Sequence, residues 1–171
     1  SFGKGSEYSA VRGITTYGGS NYRDSFTYGS QTVVNKTLTR VWDKSIGALD
    51  CGEDGTWAGV GWTGMSLIVQ WEDDVRPLLS IYDEFKTKDG FTEVIYPAMD
   101  GNIYFLELST GKATRDPIAL GVVTKGTATL DPRGYPLLYT GQGIPSTSEE
   151  GTRGAWFRVV SLIENKVLWS F

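Results

Sequence analysis

A chain of 171 residues, 40% hydrophobic and 21% charged, has enough apolar side chains to bury a core and too few charges for disorder. Its formal charge is −4, and its 16 Lys and Arg are scattered without a run, so it carries no footprint for a phosphate backbone or an anionic membrane surface. Charged, Gly or Pro residues interrupt every apolar run short of the roughly 20 residues that a spanning helix needs.

One cysteine, Cys51, cannot make an internal disulfide, and histidine is absent. Zinc sites with Cys/His ligands and Ser/His/Asp or Cys/His nucleophilic sets are thereby excluded. Cys51 reads as a plain thiol. The start at Ser1, without Met or signal peptide, suggests a trimmed, mature or fragmentary chain. Gly accounts for 22 residues and aromatics for 13% of the chain, as expected of many short strands joined by turns. No long window carries apolar residues at helical spacing without Gly, Pro or a β-branched cluster inside it.

In chain order, residues 1–36 are a loop-rich arm of Gly, Ser, Tyr and Asn, and residues 37–47 hold a leading strand, Leu38-Thr39-Arg40-Val41-Trp42. Residues 50–64 read as a loop that carries Trp57 and Trp62 among glycines. Residues 65–71 predict a strand, with residues 78–85 as its antiparallel neighbour after a charged turn ending in Pro77. Residues 92–98 and 102–108 face each other across Met99-Asp100-Gly101, where Asp-Gly is the strongest short hairpin signal in the chain.

The same order then recurs. A strand at 126–130 is followed by the turn Asp131-Pro132-Arg133-Gly134 and a returning strand at 135–140, then a Gly/Ser/Glu loop to Arg153. Strands at 156–162 and 167–171 flank the turn Glu164-Asn165-Lys166. Gly64 stands over Gly126 and Ile103 over Phe157, spacings of 62 and 54 residues, longer than the roughly 40 to 50 of common blade repeats. The expected architecture is all-β: antiparallel four-stranded blades of a β-propeller at 59–120 and 121–171, incomplete within this chain because rings use about four to eight blades. A self-contained β-sandwich with coincidental repeats is the competing fold.

The phrase Asp100-Gly101-Asn102-Ile103-Tyr104-Phe105-Leu106-Glu107-Leu108-Ser109-Thr110-Gly111-Lys112, with a weaker second copy ending Glu164-Asn165-Lys166-Val167-Leu168-Trp169, resembles the PQQ-like (quinoprotein-type) β-propeller repeat family. Residues 16–24 resemble the lead-in to a first blade in that family. The resemblance covers residues 15 to 171 and implies the fold more than a function. Some members of the family bind pyrroloquinoline quinone with a metal ion, stacking Trp residues and often a vicinal disulfide. With one cysteine the disulfide is missing here, which speaks against that cofactor. Others are non-enzymatic scaffolds that dock peptides or strands.

Four residues are candidates for ligand binding. Trp57 and Trp62, together with Trp71, could form an aromatic platform for a sugar face or planar ligand, or fill gaps between blades. Asp131 and Arg133 could point into a central channel, or lock a turn whose backbone Pro132 presets. Asp50, Glu53 and Asp54 put three carboxylates in a loop that could contribute ligands to calcium or be solvated; Glu72, Asp73 and Asp74 read as a charged hairpin tip. No catalytic set emerges.

The expected function is a non-catalytic binding or scaffold module, extracellular or at the cell envelope, whose face loops engage a protein or glycan partner. Missing blades would come from a second fragment or from self-association. The alternative is a diverged quinoprotein dehydrogenase or carbohydrate-active enzyme whose catalytic groups lie outside this chain.

Overall fold

A computed structural model describes residues 10–19, 22–23, 32–61, 63–142, 146–147 and 153–171. They form antiparallel β-sheets with almost no helix. The first large sheet has the order β1 (Arg12–Ile14), β4 (Leu67–Gln70), β5 (Glu93–Pro97), β6 (Asn102–Glu107) and β7 (Ile118–Ala119). The second has the order β13 (Lys166–Ser170), β12 (Phe157–Ser161), β9 (Leu137–Gly141) and β8 (Thr129–Leu130). Two hairpins complete the set: β2 (Ala48–Asp50) with β3 (Thr56–Ala58), and β10 (Ser146–Thr147) with β11 (Arg153–Gly154). Neither large sheet closes on itself among the described residues.

Strands β4 to β7 follow one another as a meander, and so do β8, β9, β12 and β13, with the β10 and β11 hairpin inserted in the second. Alternation fixes the faces. Leu67 and Val69 of β4 are fully buried while Ile68 and Gln70 lie on the opposite face. Opposite them, Ile95 and Phe105 continue the buried row across the register Leu67 to Ile95 to Phe105. Leu130, Leu138, Val160 and Leu162 of the second half join the same core cluster, so one apolar core lies between the sheets. Each such side chain contributes roughly 1.5–3 kcal/mol by leaving water.

The expected hairpin at 92–108 is present: Gly101 takes φ of 82°, a left-handed conformation that Gly adopts without steric cost. The turn at 164–166 is present too, with Asn165 at φ of 53° and the Glu164 amide donating to Ser161 Oγ at 3.0 Å.

Two strand expectations differ. Residues 38–42 pair with no strand; Leu38 and Val41 point into solvent, and the indole of Trp42 instead donates to the Leu108 carbonyl at 2.8 Å. Its ring lies where a Cβ on Gly111 would come within 2.6 Å, so Trp42 clips the segment to the outside of β6. Residues 78–85 are not the partner of β4. They contain the end of a 3-10 turn (Arg76–Leu78) and most of the single-turn helix α1 (Asp83–Lys86), because Pro77 has no amide to give a ladder and Phe85 is buried against Phe91, ring centres 5.4 Å apart.

The first strand of the sheet lies instead within the region read as an arm. Residues 10–16 run between the two sheets: β1 pairs with β4, the Ala10 amide donates to the Pro132 carbonyl, and the Leu130 amide donates to the Thr15 carbonyl, both at 2.8 Å. This segment covers the free edges of β4 and β8 at once.

Candidate functional site

The strand directions define two ends of the paired sheets. At one end β4 and β8 begin, β5 meets β6, and β7 leaves toward β8 through residues 120–128. That crossover is the scaffold of the candidate site. The Thr124 amide donates to the Ala98 carbonyl at 3.4 Å, and Thr63 Oγ1 donates to the Lys125 carbonyl at 3.1 Å. A Cβ on Gly61 would sit 2.6 Å from the Lys125 carbonyl oxygen, so only glycine allows this approach. The Tyr96 hydroxyl closes the loop from beneath by donating to the Gly61 carbonyl at 2.8 Å.

Trp57 stands on β3 above this crossover. Its indole nitrogen donates to the Asp54 carbonyl at 2.9 Å, and the Lys125 ammonium lies 4.4 Å from its ring centre, a cation over an electron-rich face. Trp62 lies outside the described residues. Asp100, at the β5 to β6 turn, accepts from the Tyr104 hydroxyl at 2.5 Å and from the Gly47 amide at 3.2 Å through one oxygen. Burial, with that hydrogen bond, raises the Tyr104 pKa.

Beneath the crossover, Arg158 enters from β12. It shares the core-facing side with Val160 and Leu162 and stands opposite Thr140 in the ladder. Its Nη1 donates to the Leu120 carbonyl at 2.6 Å, which ties the second sheet to the exit of β7. Its Nε is buried without a hydrogen-bond partner, and the hydroxyls of Thr140 and Thr124, both nearly inaccessible, are likewise unpartnered. Burial lowers the Arg158 pKa. Buried polar atoms without partners are uncommon in folded chains, and here three lie at the end that carries Trp57.

Asp131 and Arg133 lie at the opposite end. The Asp131 carboxylate is buried and accepts from Arg133 Nε at 2.9 Å, Arg133 Nη2 at 2.6 Å and the Tyr139 hydroxyl at 2.8 Å. The guanidinium lies 5.0 Å from the Tyr135 ring centre and borders a cavity of about 180 Å³ with Trp71, Glu72 and Asp74. The pair thus fastens its own turn. Trp57 contacts Asp54 and Lys125, whereas Arg133 contacts Asp131 and Tyr135, so the two sets of candidates do not meet.

Hydrogen bonds from Arg133 hold Asp131 at about 2, below its ordinary 3.8. In Glu107, burial works to raise the pKa, but hydrogen bonds from Thr110, Ser109 and Lys88 outweigh it and bring the carboxyl down to about 2 from 4.5. Between these folded and ordinary values the unfolded chain binds more protons, so both groups stabilise the fold above about pH 4.5 and lose that contribution as pH falls toward 2. Urea unfolding measured from pH 5 to pH 2 is expected to show this fall. Asp131→Asn should flatten its lower part; an unchanged slope would remove Asp131 from the account.

Cys51 is buried, and burial together with Asp54 and Asp50 raises its thiol pKa, which keeps it protonated and unreactive. Asp50 accepts from the Gly52 amide at 2.9 Å within its own turn. No group of three or more His, Cys, Asp or Glu able to hold a metal ion occurs among the described residues, and no helix among them is long and apolar enough to cross a membrane.

Sequence reasoning passed over Arg158 and Thr140. The signal was available in the alternation, since Arg158 is in phase with Val160 and Leu162, a charged residue at an apolar position. Comparison of the chain with protein-family models, with curated proteins and with solved structures returns no match.

Proposed function

We propose that the chain is a non-catalytic binding module built as two consecutive blades of a PQQ-like β-propeller, whose loops at the Trp57 end engage a partner. The observation that carries this reading is the apolar character of both outer faces. A sandwich that is complete in itself turns polar side chains outward from each sheet. Here the outer side of the first sheet has a groove of about 310 Å³ floored by Ile14 and Ile68 and edged by Leu108 together with the polar Arg12, Gln70 and Thr92. The outer side of the second carries Phe157, 49% exposed, and Trp169, 58% exposed, beside the half-buried Tyr139, whose ring stacks on Phe157.

A β-bulge contributes to this. The ladder of β12 and β13 shifts between Val159 and Val160, so that Val167 pairs on the core side while Trp169, two residues on, pairs with Val159 on the outer side. Apolar surface on both outer sides suits sheets stacked between further sheets, and two successive antiparallel meanders are compatible with successive blades. The glycine-bounded loops, Trp57 and the unpartnered hydroxyls support a binding role for the end where they gather.

Light scattering on the purified chain tests the reading. Association through the outer faces is expected, and Phe157→Lys with Trp169→Lys should reduce it without loss of the folded signal. A wild-type chain that stays a compact monomer at high concentration would overturn the blade reading in favour of a sandwich.

A further inference from the structure

The two large sheets turn unlike surfaces outward. On the first, Ile14 and Ile68 stand opposite each other in the ladder of β1 and β4 and floor the open groove of about 310 Å³. Leu108, 40% exposed, forms one edge, and the exposed Arg12 lies on the rim with Gln70 and Thr92. The second sheet projects where the first is hollow. Trp169, 58% exposed, pairs with the buried Val159, and Phe157, 49% exposed, stacks on Tyr139 with ring centres 6.3 Å apart. Phe171 exchanges two backbone hydrogen bonds with Phe157, at 2.9 and 3.1 Å, which puts its side chain on the same face, 71% exposed.

Clustered apolar surface in water marks a place of contact, and these two surfaces fit each other better than either fits itself. Two grooves laid together would leave both floors uncovered. Two aromatic faces laid together would leave both grooves open. Arg12 adds an electrostatic reason, because a guanidinium is attracted to the electron-rich face of an aromatic ring. The chain already uses that pairing within itself: Arg115 lies 4.7 Å from the Phe105 ring centre and Arg133 5.0 Å from that of Tyr135. A ring entering the groove from a second copy meets the same kind of cation at the rim.

We infer that the aromatic face of one copy docks in the groove of the next, with Trp169 as the ring that enters and Arg12 as the cation that meets it. The inference rests on the reading of both outer faces as contact surfaces and adds which face meets which. Joining unlike faces leaves one of each uncovered at the ends of any pair, so growth continues past the dimer; a patch joined to its own counterpart stops there. The exposed parts of the three rings amount to roughly 300–450 Å², below the roughly 800 Å² per partner of a stable complex. Assembly is therefore weak and rises with concentration.

The test is a mixing experiment read by sedimentation at rising concentration. One variant, Ile68→Lys, spoils the groove and keeps the aromatic face; the other, Phe157→Lys with Trp169→Lys, spoils the face and keeps the groove. The wild-type chain is expected to grow beyond a dimer and each variant alone to stay monomeric. An equal mixture of the two should form one-to-one pairs and nothing larger, because it holds a single kind of intact junction. Arg12→Gln should weaken wild-type assembly about fivefold; an unchanged affinity overturns the part given to Arg12. Where Ile68→Lys fails to fold, Leu108→Lys at the exposed edge of the groove takes its place. Wild-type chain that associates but stops at a dimer, or variants that do not pair when mixed, overturns the docking of unlike faces and leaves the blade reading standing. Wild-type chain that stays monomeric takes away both. Leu38→Lys with Val41→Lys abolishing assembly as fully as Ile68→Lys would seat residues 38–41 in the groove and overturn the aromatic occupant.

Discussion

Arg115→Ala is expected to destabilise the fold by about 3–5 kcal/mol, the cost of leaving a buried charge without its partner. Glu93 and Arg115 are both inaccessible at the core between the sheets. Three side chains donate to Glu93: Trp71 Nε1 at 2.9 Å, Thr114 Oγ1 at 2.5 Å and the Arg115 guanidinium at 2.9 Å. Arg115 in turn lies 4.7 Å from the Phe105 ring centre and reaches the Leu162 carbonyl, which also accepts from the Ser80 amide. Removing the guanidinium therefore exposes the Glu93 carboxylate to an apolar wall, opens a large void and cuts one tie between the sheets. Equilibrium denaturation should show a lower midpoint. The paired change Glu93→Leu with Arg115→Met should recover much of the loss, because it removes both charges together. A cost under about 1 kcal/mol for Arg115→Ala would mean that water reaches the pair.

Much of the strand order was legible because the second half of the chain carries strong local signals. Asp100-Gly101 and Asn165 can each take a left-handed turn, and the alternation from Phe157 to Leu162 sets one face against the core. The all-β class follows from those signals. Trp169 was harder to place, since its outward position depends on a bulge that only pairing creates. Residues 38–42 look like a strand by composition, yet they enter no ladder: Leu38 and Val41 stay exposed, and Trp42 is held to the Leu108 carbonyl instead. Trp57 was singled out as unusual for a loop; the structure puts it on β3 instead, with Lys125 as a neighbour. Asp131 and Arg133 read either as a channel-facing pair or as a structural turn, because a short turn places both charges together, and local geometry satisfies them within the turn. Arg158 went unnoticed for the opposite reason: its significance depends on a carbonyl 38 residues away, at Leu120.

β1 is the part of the fold that sequence hides most fully, and it is where a small substitution should have a large effect. Gly13 has φ of +134°, and a Cβ built on it would lie 1.8 Å from the Ile68 carbonyl oxygen, in the middle of the β1 to β4 ladder. The backbone of both strands would have to part, since neither contact atom is a movable side-chain end. Gly13→Ala is therefore expected to detach residues 10–16, at a cost of about 3 kcal/mol or more from strain and lost ladder bonds together. The edges of β4 and β8 would then be uncovered at once, because the same segment bonds to Leu130 through Thr15 and to Pro132 through Ala10. Hydrogen exchange reads this directly. The Leu130 amide, which donates to the Thr15 carbonyl, should lose protection in Gly13→Ala, while the Tyr96 amide in the ladder between β5 and β6 keeps most of its own. Uniform loss across both amides would mean instead that the segment and the core open as one unit. Unchanged protection at Leu130 would show that β1 does not hold the two sheets together. An uncovered pair of edges also gives the variant a route to association by strand pairing, one that the outer-face lysine substitutions should not suppress.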